Sequence, residues 1–459
     1  MGVSVEALDE LRAALPHGVV LTDADAVEKY RQDWSRDARA GTPLAVVRAG
    51  DAAQVQAALR WASAHRVPVV PRGAGSGLSG GCSAVDDGVV LSLERMRAVE
   101  IDPLCQVAVV EPGAFNQDVK VAAAAEGLWY PPDPSSSEIC SIGGNVATNA
   151  GGLCCVKYGV TTDYVLGLDV VLADGTLVTL GGKRIKDVAG LSLTKLFVGS
   201  EGTLGVVTRA ILRLVPAQDK RSTMVATFRT VTAAAEAVVA IRTTMRPCLL
   251  ELMDRATVNA VEDFRPMGLD RTVGALLIGQ SDAPGAACSG EIVAMRAACE
   301  ATGAAECFVT DDAEEGEMFV QARRISFHAL EARGALLLED VGVPIPLLPD
   351  LLARIVAISE AYDIEIPTVA HAGDGNTHPL IVYAADDPDA ERRAHAAFGE
   401  VMAAAIELGG TITGEHGVGR TKATALPDQL GPDVMELTRK IKGALDPEWI
   451  LNPGAILSR

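Results

Sequence analysis

Residues 71–81 read PRGAGSGLSGG, and the segment after them decides the fold. By letter, Gly75-x-Gly77-x-x-Gly80 matches the dinucleotide-binding fingerprint. That fingerprint needs a helix directly after the glycines, so that the helix N-terminus faces a pyrophosphate. Here the chain runs through CSAVDDG into another apolar run, 89–93, and a Rossmann nicotinamide site is excluded. The alternative is a strand–loop–strand, entered from the apolar run 67–70, whose backbone N–H groups form a nest for a pyrophosphate. Pro71 opens the loop and Arg72 supplies positive charge. Gly73, Ala74, Gly75, Ser76, Gly77 and Ser79, with only Leu78 bulky among them, let an anion approach the backbone.

Two further segments have the same texture. PPDPSSSEICSIGGNVATNAGG (131–152) places Pro132, Asp133, Ser136 and Ser137 ahead of Ile142, Gly143 and Gly144, and ends on Gly151 and Gly152. So little side chain in mid-domain implies close approach by another backbone or a ligand. Asn145, Thr148 and Asn149 supply amides and a hydroxyl suited to a polar heterocycle. VGSEGTLGVVT (198–208) carries Glu201 and leads through Gly205, Val206 and Val207 into a strand whose backbone suits an adenine or flavin edge.

Together these three segments resemble the FAD-binding domain of the vanillyl-alcohol oxidase type, also known from p-cresol methylhydroxylase. Within it the chain is similar to the group of glycolate oxidase large subunits, D-lactate dehydrogenases and D-2-hydroxyglutarate dehydrogenases, over roughly residues 35–459. The resemblance implies an α+β fold: an FAD-binding domain of two α+β subdomains, plus an α+β cap domain with an antiparallel sheet covered by helices. It also implies that the first loop holds the pyrophosphate, the second runs along the ribityl chain and isoalloxazine, and the third holds the adenosine. Asn452, in LNPGAI, reaches the flavin side, whereas Ala455 stands where relatives often have lysine. Neither of the first two loops contains a histidine, so the FAD is expected to be non-covalent.

Seven histidines exist, and three lie in two glycine-flanked motifs: HAGDGNTH (His371, His378) and GEHG (Glu415, His416). Two imidazoles and a carboxylate are a common ligand set for a divalent transition metal with open positions, here Zn, Mn, Fe or Co. Gly373 and Gly375 imply a turn, so the two histidines flank a strand–turn hairpin rather than sharing a helix. The family resemblance makes His371, His378 and Glu415 the metal ligands and His416 the proton acceptor. It also places Arg323, in QARRISFHALEARG, on a substrate carboxylate, with Arg324 adjacent, and Asn376 as a further substrate contact.

The chemistry expected is oxidation of a 2-hydroxy acid to the 2-oxo acid, with a hydride passing to flavin N5. A divalent ion lowers the pKa of a coordinated oxygen, as it takes water from about 15.7 to about 7, and His416 then serves as general base. Where 2-hydroxyglutarate enzymes hold a second carboxylate with lysine, this chain has Leu338 followed by Glu339 and Asp340. A monocarboxylate is therefore expected: D-lactate, glycolate or a larger D-2-hydroxy acid. Two other functions fit the same residues. One is a flavoprotein subunit active only in a multi-subunit, glycolate-oxidase-like complex; the other is a metal-dependent hydrolase.

Composition sets the outer bounds. Sixty Asp+Glu against 40 Lys+Arg in 459 residues give a net charge of −20, which argues against a nucleic-acid partner. Nine cysteines without a C-x-x-C suggest reduced thiols, and the N-terminal sequence lacks a basic start with an apolar core, so a cytoplasmic protein without a membrane span is expected. The divisions expected are 1–36 (helical), 37–216 (FAD-binding), 217–426 (cap, substrate and metal) and 427–459 (returning to the FAD domain). The electron acceptor stays open among quinone, cytochrome, electron-transferring flavoprotein and oxygen, and a homodimer is compatible with the sequence.

Overall fold

The structure is a computed structural model that describes residues 5–218 and 221–458; positions 1–4, 219–220 and 459 of the expected divisions lie outside the described residues. The chain forms two compact units. The first holds the chain up to Gly151, Val160–Ala217 and the chain from Glu415 onward; the second holds Gly152–Gly159 and Gln218–Gly414. The return to the first unit thus falls at Glu415, earlier than the division after 426 read from the sequence.

In the first unit, Val69–Arg72 and Val89–Ser92 pair in parallel, Val69 opposite Val89, with the glycine loop and no helix between them. Ala45–Arg48 flanks Val89–Ser92 on its other side, also in parallel, and Val20–Leu21 closes the sheet. The helix Ala52–His65 links Ala45–Arg48 to Val69–Arg72. Asp51 caps it by accepting the Gln54 N–H at 2.8 Å, and Arg66 ends it at φ +55°. Its buried face (Val55, Leu59, Ala62) shares one core with Leu91, Val171 and Val206. The last two belong to an antiparallel five-stranded sheet ordered Val99–Asp102, Val107–Val110, Val206–Arg213, Val165–Val171, Leu177–Gly181. The first unit is thus two α+β layers joined by a common apolar seam.

The second unit is one eight-stranded antiparallel sheet. Its central strands are buried on both faces; every residue of Ala275–Ser281 is buried. On one face Leu249, Met253, Leu276, Ile278 and Val369 meet the helices that carry Val261, Ala322 and Leu330. On the other, the Gly279 position sits against Met224, Leu250 and Met295, the last from the helix Ala286–Ala301. Apolar side chains therefore point both ways, and helices cover both faces. Among the described residues no helix is long and apolar enough to cross a membrane.

Candidate active site

The second unit carries its polar cluster on one sheet face, and strand register puts it there. Leu252 lies opposite Ala370 and Met253 opposite Val369, so the same register sets Glu251 opposite His371. Val369 lies opposite His378 and His371 opposite Asn376, which places both imidazoles and the Asn376 amide on that face. Val341 pairs with Thr377, and one residue further the register brings Asp340 to His378. The HAGDGNTH turn between Thr368–His371 and Asn376–Tyr383 is closed at Gly375, φ +84°. A side chain at Gly373 would run into Val156 and Leu250.

The result is two buried imidazoles, ring centres 5.0 Å apart, each facing a buried carboxylate. His371 Nδ1 lies 2.8 and 2.9 Å from the two Glu251 oxygens, and His378 Nδ1 lies 3.6 Å from Asp340 Oδ1. At His371 the carboxylate, within hydrogen-bond distance of Nδ1, fixes the proton there and turns the Nε2 lone pair to the opposite side, the arrangement that metal-ligating histidines use. At His378 the carboxylate stands further off, beyond hydrogen-bond distance. Arg323, in the last turn of the helix Ala313–Arg324, forms an ion pair with the same Glu251 (Nε to Oε2, 2.9 Å). Its Nε and Nη2 are both buried and donate a well-aligned hydrogen bond to nothing among the described residues. Asn376 Oδ1 is likewise buried without a donor, and a Cβ on Gly414 would fall on the Asn376 amide. Asp340 Oδ2 accepts from Thr413 Oγ1 (2.7 Å) and from the Gly414 N–H (2.9 Å). Gly414 is the last residue of this unit, so Glu415 stands one peptide bond beyond a fixed point.

In the first unit the glycine loop is held from several sides. Arg72 packs against Gly75 (φ +78°) and donates to the Cys82 carbonyl at 3.4 Å. Ser141 Oγ accepts the Ala74 N–H at 3.2 Å, and Asp33 accepts the Cys82 N–H at 3.4 Å. Among the described residues the N–H groups of Gly75, Ser76, Gly77, Leu78 and Ser79 have no acceptor, and neither do the buried Nε and Nη2 of Arg420, whose Cβ lies beside Gly80. A run of uncommitted backbone donors is the chemistry of an anion nest. Val206 and Val207 pair with Val171 and Val170, but Val107–Val110 meets the same strand only from Ala210 onward, so one backbone edge at 206–207 has no strand partner. Ser79 Oγ donates to the His416 carbonyl at 3.1 Å and Glu201 accepts the Val418 and Gly419 N–H groups at 2.7 Å each. His416 Nε2 lies 3.6 Å from Glu415 Oε1.

The family described as FAD linked oxidases, C-terminal domain, matches residues 217–456, and an FAD binding domain matches residues 43–181. The glycolate oxidase subunit GlcD of Bacillus subtilis (strain 168) is 41% identical, over 91% of this chain and 89% of its own length. The chain belongs to the FAD-linked oxidases. Another relative, the D-lactate dehydrogenase of Archaeoglobus fulgidus, is 35% identical over 92% of this chain and 93% of its own. At the level of fold, a crystal structure of p-cresol methylhydroxylase with substrate bound superposes with a TM-score of 0.83 at 19% identity, covering 100% of this chain and 98% of that one.

FAD suits this FAD-linked oxidase at the nest and the open strand edge, but several side chains expected on the cofactor do other work. Segment 131–152 is not all loop: Ile142–Thr148 is a helix capped by Ser141. Gly143 is required there because a Cβ would strike Pro112. Asn145 is buried, accepting from Asn116 Nδ2 (3.0 Å) and donating to Cys140 Sγ (3.4 Å). Thr148 Oγ1 donates to the Gly144 carbonyl at 3.2 Å, and Asn149 ends the helix at φ +54° and accepts the Thr162 N–H at 2.8 Å. These three side chains build the segment, because buried polar groups near a helix end must be satisfied locally. Upstream, the Pro132 carbonyl accepts from Asn116, a turn at 134–140 closes on the Pro134 and Ser136 carbonyls, and the Ser137 carbonyl accepts the Gln117 N–H.

Arg72, expected to add charge towards the cofactor, instead braces its own loop. Glu201 brackets the loop after His416, and its burial pushes its pKa up to about 7. Asn452 Nδ2 donates to the Gly81 and Glu201 carbonyls, 2.7 Å each, joining the first and third segments. Gly151 and Gly152 fall on either side of the division between the units. Arg324 is no substitute for Arg323: it pairs with Glu317 at 2.8 Å on the helix surface.

Sequence reasoning misses Glu251. It sits in the apolar run LLELMD, and an isolated charge in such a run is the available signal. Asp340 reads in the sequence only as a repelling charge, not as a neighbour of His378. Lys442, which donates to the Thr203 and Leu451 carbonyls and pairs with Asp446, gives no sequence signal because its helix is otherwise solvated.

Proposed function

We propose that this FAD-linked oxidase oxidises a 2-hydroxy monocarboxylate, glycolate, D-lactate or a larger D-2-hydroxy acid, to the 2-oxo acid. The observation that carries this is the sheet face itself: two carboxylate-backed imidazoles beside a buried arginine with an unpaired nitrogen. A divalent ion suits His371 and His378, with Glu415 from the following segment as third ligand. FAD, when bound, supplies a hydride acceptor, and the divalent ion supplies polarisation of the substrate hydroxyl. Arg323 holds the substrate carboxylate through a charge-assisted hydrogen bond, and Asn376 makes a further hydrogen bond to the substrate. His416 takes the hydroxyl proton on its ring. Buried Glu339 and Asp340 disfavour a second carboxylate. The names of the relatives, glycolate oxidase subunit and D-lactate dehydrogenase, support the substrate class.

Anaerobic mixing with a panel of D- and L-2-hydroxy acids tests the function directly. Flavin absorbance is expected to bleach with D-acids or glycolate, and to stop bleaching after chelator treatment. Bleaching by L-acids alone, or bleaching indifferent to chelator, overturns it. The word "subunit" in the name of the GlcD relative favours an alternative in which the chain turns over only within an assembly. Reduction by substrate with no turnover on artificial acceptors, restored by partner chains, distinguishes that case. Nine cysteines, all outside disulfides, support a reducing, cytoplasmic setting.

A further inference from the structure

We propose that Glu251 is the positioning residue of this centre: one buried carboxylate sets both the metal-facing His371 and the carboxylate-facing Arg323, and so couples the two halves of substrate binding. The proposal rests on the function inferred above and adds a residue and a linkage to it.

The first argument is cost. Glu251 is 1% exposed in its side chain, and its neighbours along the same sheet face, Leu249 and Met253, are core residues. Burying a carboxylate there is unfavourable by several kcal/mol unless it is paired and hydrogen-bonded. A strand needed only for packing takes another aliphatic residue at this position.

The second is geometry. Both Glu251 oxygens lie within hydrogen-bond distance of His371 Nδ1, at 2.8 and 2.9 Å, which fixes the Nδ1–H tautomer and leaves Nε2 as the lone-pair nitrogen. Oε2 also lies 2.9 Å from Arg323 Nε. The ion pair keeps the guanidinium beside Glu251, while Nε and Nη2, both buried and without a hydrogen-bond acceptor among the described residues, are left for an anion. A planar guanidinium confined by so close an ion pair presents its nitrogens in a restricted set of directions.

The third is charge. Without ligands, Glu251 and Arg323 neutralise each other, so the pair is tolerated in the core. A cation beyond His371 and a carboxylate beyond Arg323 pull on opposite sides of the same Glu251. Binding either one therefore favours the other, and the effect is reciprocal. Direct contact of the substrate hydroxyl with the ion gives a linkage of its own; a role of Glu251 limited to holding the fold predicts that the linkage is as large without the carboxylate as with it.

The test uses the full-length, FAD-loaded protein stripped of metal, with Mn2+ binding followed by electron paramagnetic resonance and flavin reduction followed anaerobically with D-lactate and glycolate. Glu251→Gln is expected to keep its flavin spectrum, to weaken Mn2+ binding roughly 10- to 100-fold, and to raise the half-saturating substrate concentration even at saturating Mn2+. Glu251→Asp, too short to reach both partners, should fall between. Because Glu251→Gln leaves Arg323 uncompensated, the double variant Glu251→Gln/Arg323→Met is included. It should recover thermal stability while Mn2+ affinity stays low. In the wild type, saturating D-lactate should tighten Mn2+ binding, and that tightening should be smaller in Glu251→Gln, by the share carried through the carboxylate. Wild-type Mn2+ affinity in a folded, yellow Glu251→Gln protein, or undiminished linkage, overturns the role of Glu251 alone. A wild-type protein that takes up no Mn2+, or takes it up equally well as His371→Ala, overturns the metal centre together with it.

Discussion

The backbone around His416 is anchored: its carbonyl takes the Ser79 hydroxyl, and the residues after it are tied to Glu201. These backbone ties stay in place when the imidazole is removed. His416→Ala should retain FAD yet reduce it about 10²- to 10⁴-fold more slowly with substrate, the usual contribution of a general base. Stopped-flow flavin bleaching reads the rate, and a variant reducing at the wild-type rate removes His416 from the proton transfer. At this scale the sequence is legible for residue type. Two histidines and a glutamate framed by glycines announce a ligand set, whereas the choice of Arg323 over Arg324 rests on burial.

Among the elements, the helix Arg255–Phe264 and the strand Thr368–His371 are joined through one side chain. Asp254 caps the helix by accepting the Thr257 N–H at 2.8 Å, and its other oxygen accepts the Thr368 N–H at 2.9 Å. Asp254→Ala leaves both donors unmet. It should cost about 1–3 kcal/mol, the range for a lost cap together with a buried unsatisfied N–H, measured as a shift of the urea midpoint. A shift no larger than that of an exposed control such as Asp389→Ala shows that the cap is not holding the strand. The helix–strand rhythm of the second unit is readable from apolar periodicity. The helix Ile142–Thr148 is not, because paired glycines argue locally against a helix; the contact of Gly143 with Pro112 that requires them is made 31 positions away in the chain.

For the molecule as a whole, stability should depend on pH through Glu201. Burial raises its pKa from 4.5 to about 7, against the two N–H groups that favour the ionised form. Between those values the folded state binds the proton more tightly than the unfolded chain, so stability falls as pH rises through that window and levels off above it. Asp254, raised by burial from 3.8 to about 6, acts in the same direction at slightly lower pH. Urea midpoints at pH 5 and pH 8 should differ less in Glu201→Gln than in the wild type. Equal differences place the titrating group elsewhere.

The features legible in the chain alone are local ones. A glycine loop running into a strand excludes the Rossmann arrangement, a hairpin between His371 and His378 follows from two glycines, and alternating apolar runs give a sheet covered by helices. Those features depend on backbone preference and on periodicity, which near neighbours in the chain set. Which polar groups are spent and which are left over emerges only in three dimensions. Glu251 meets His371 through strand register across 120 positions, and Asn452 reaches Gly81 across 371. The cost of a buried charge or amide depends on partners that strand pairing supplies, and no short stretch of sequence names them.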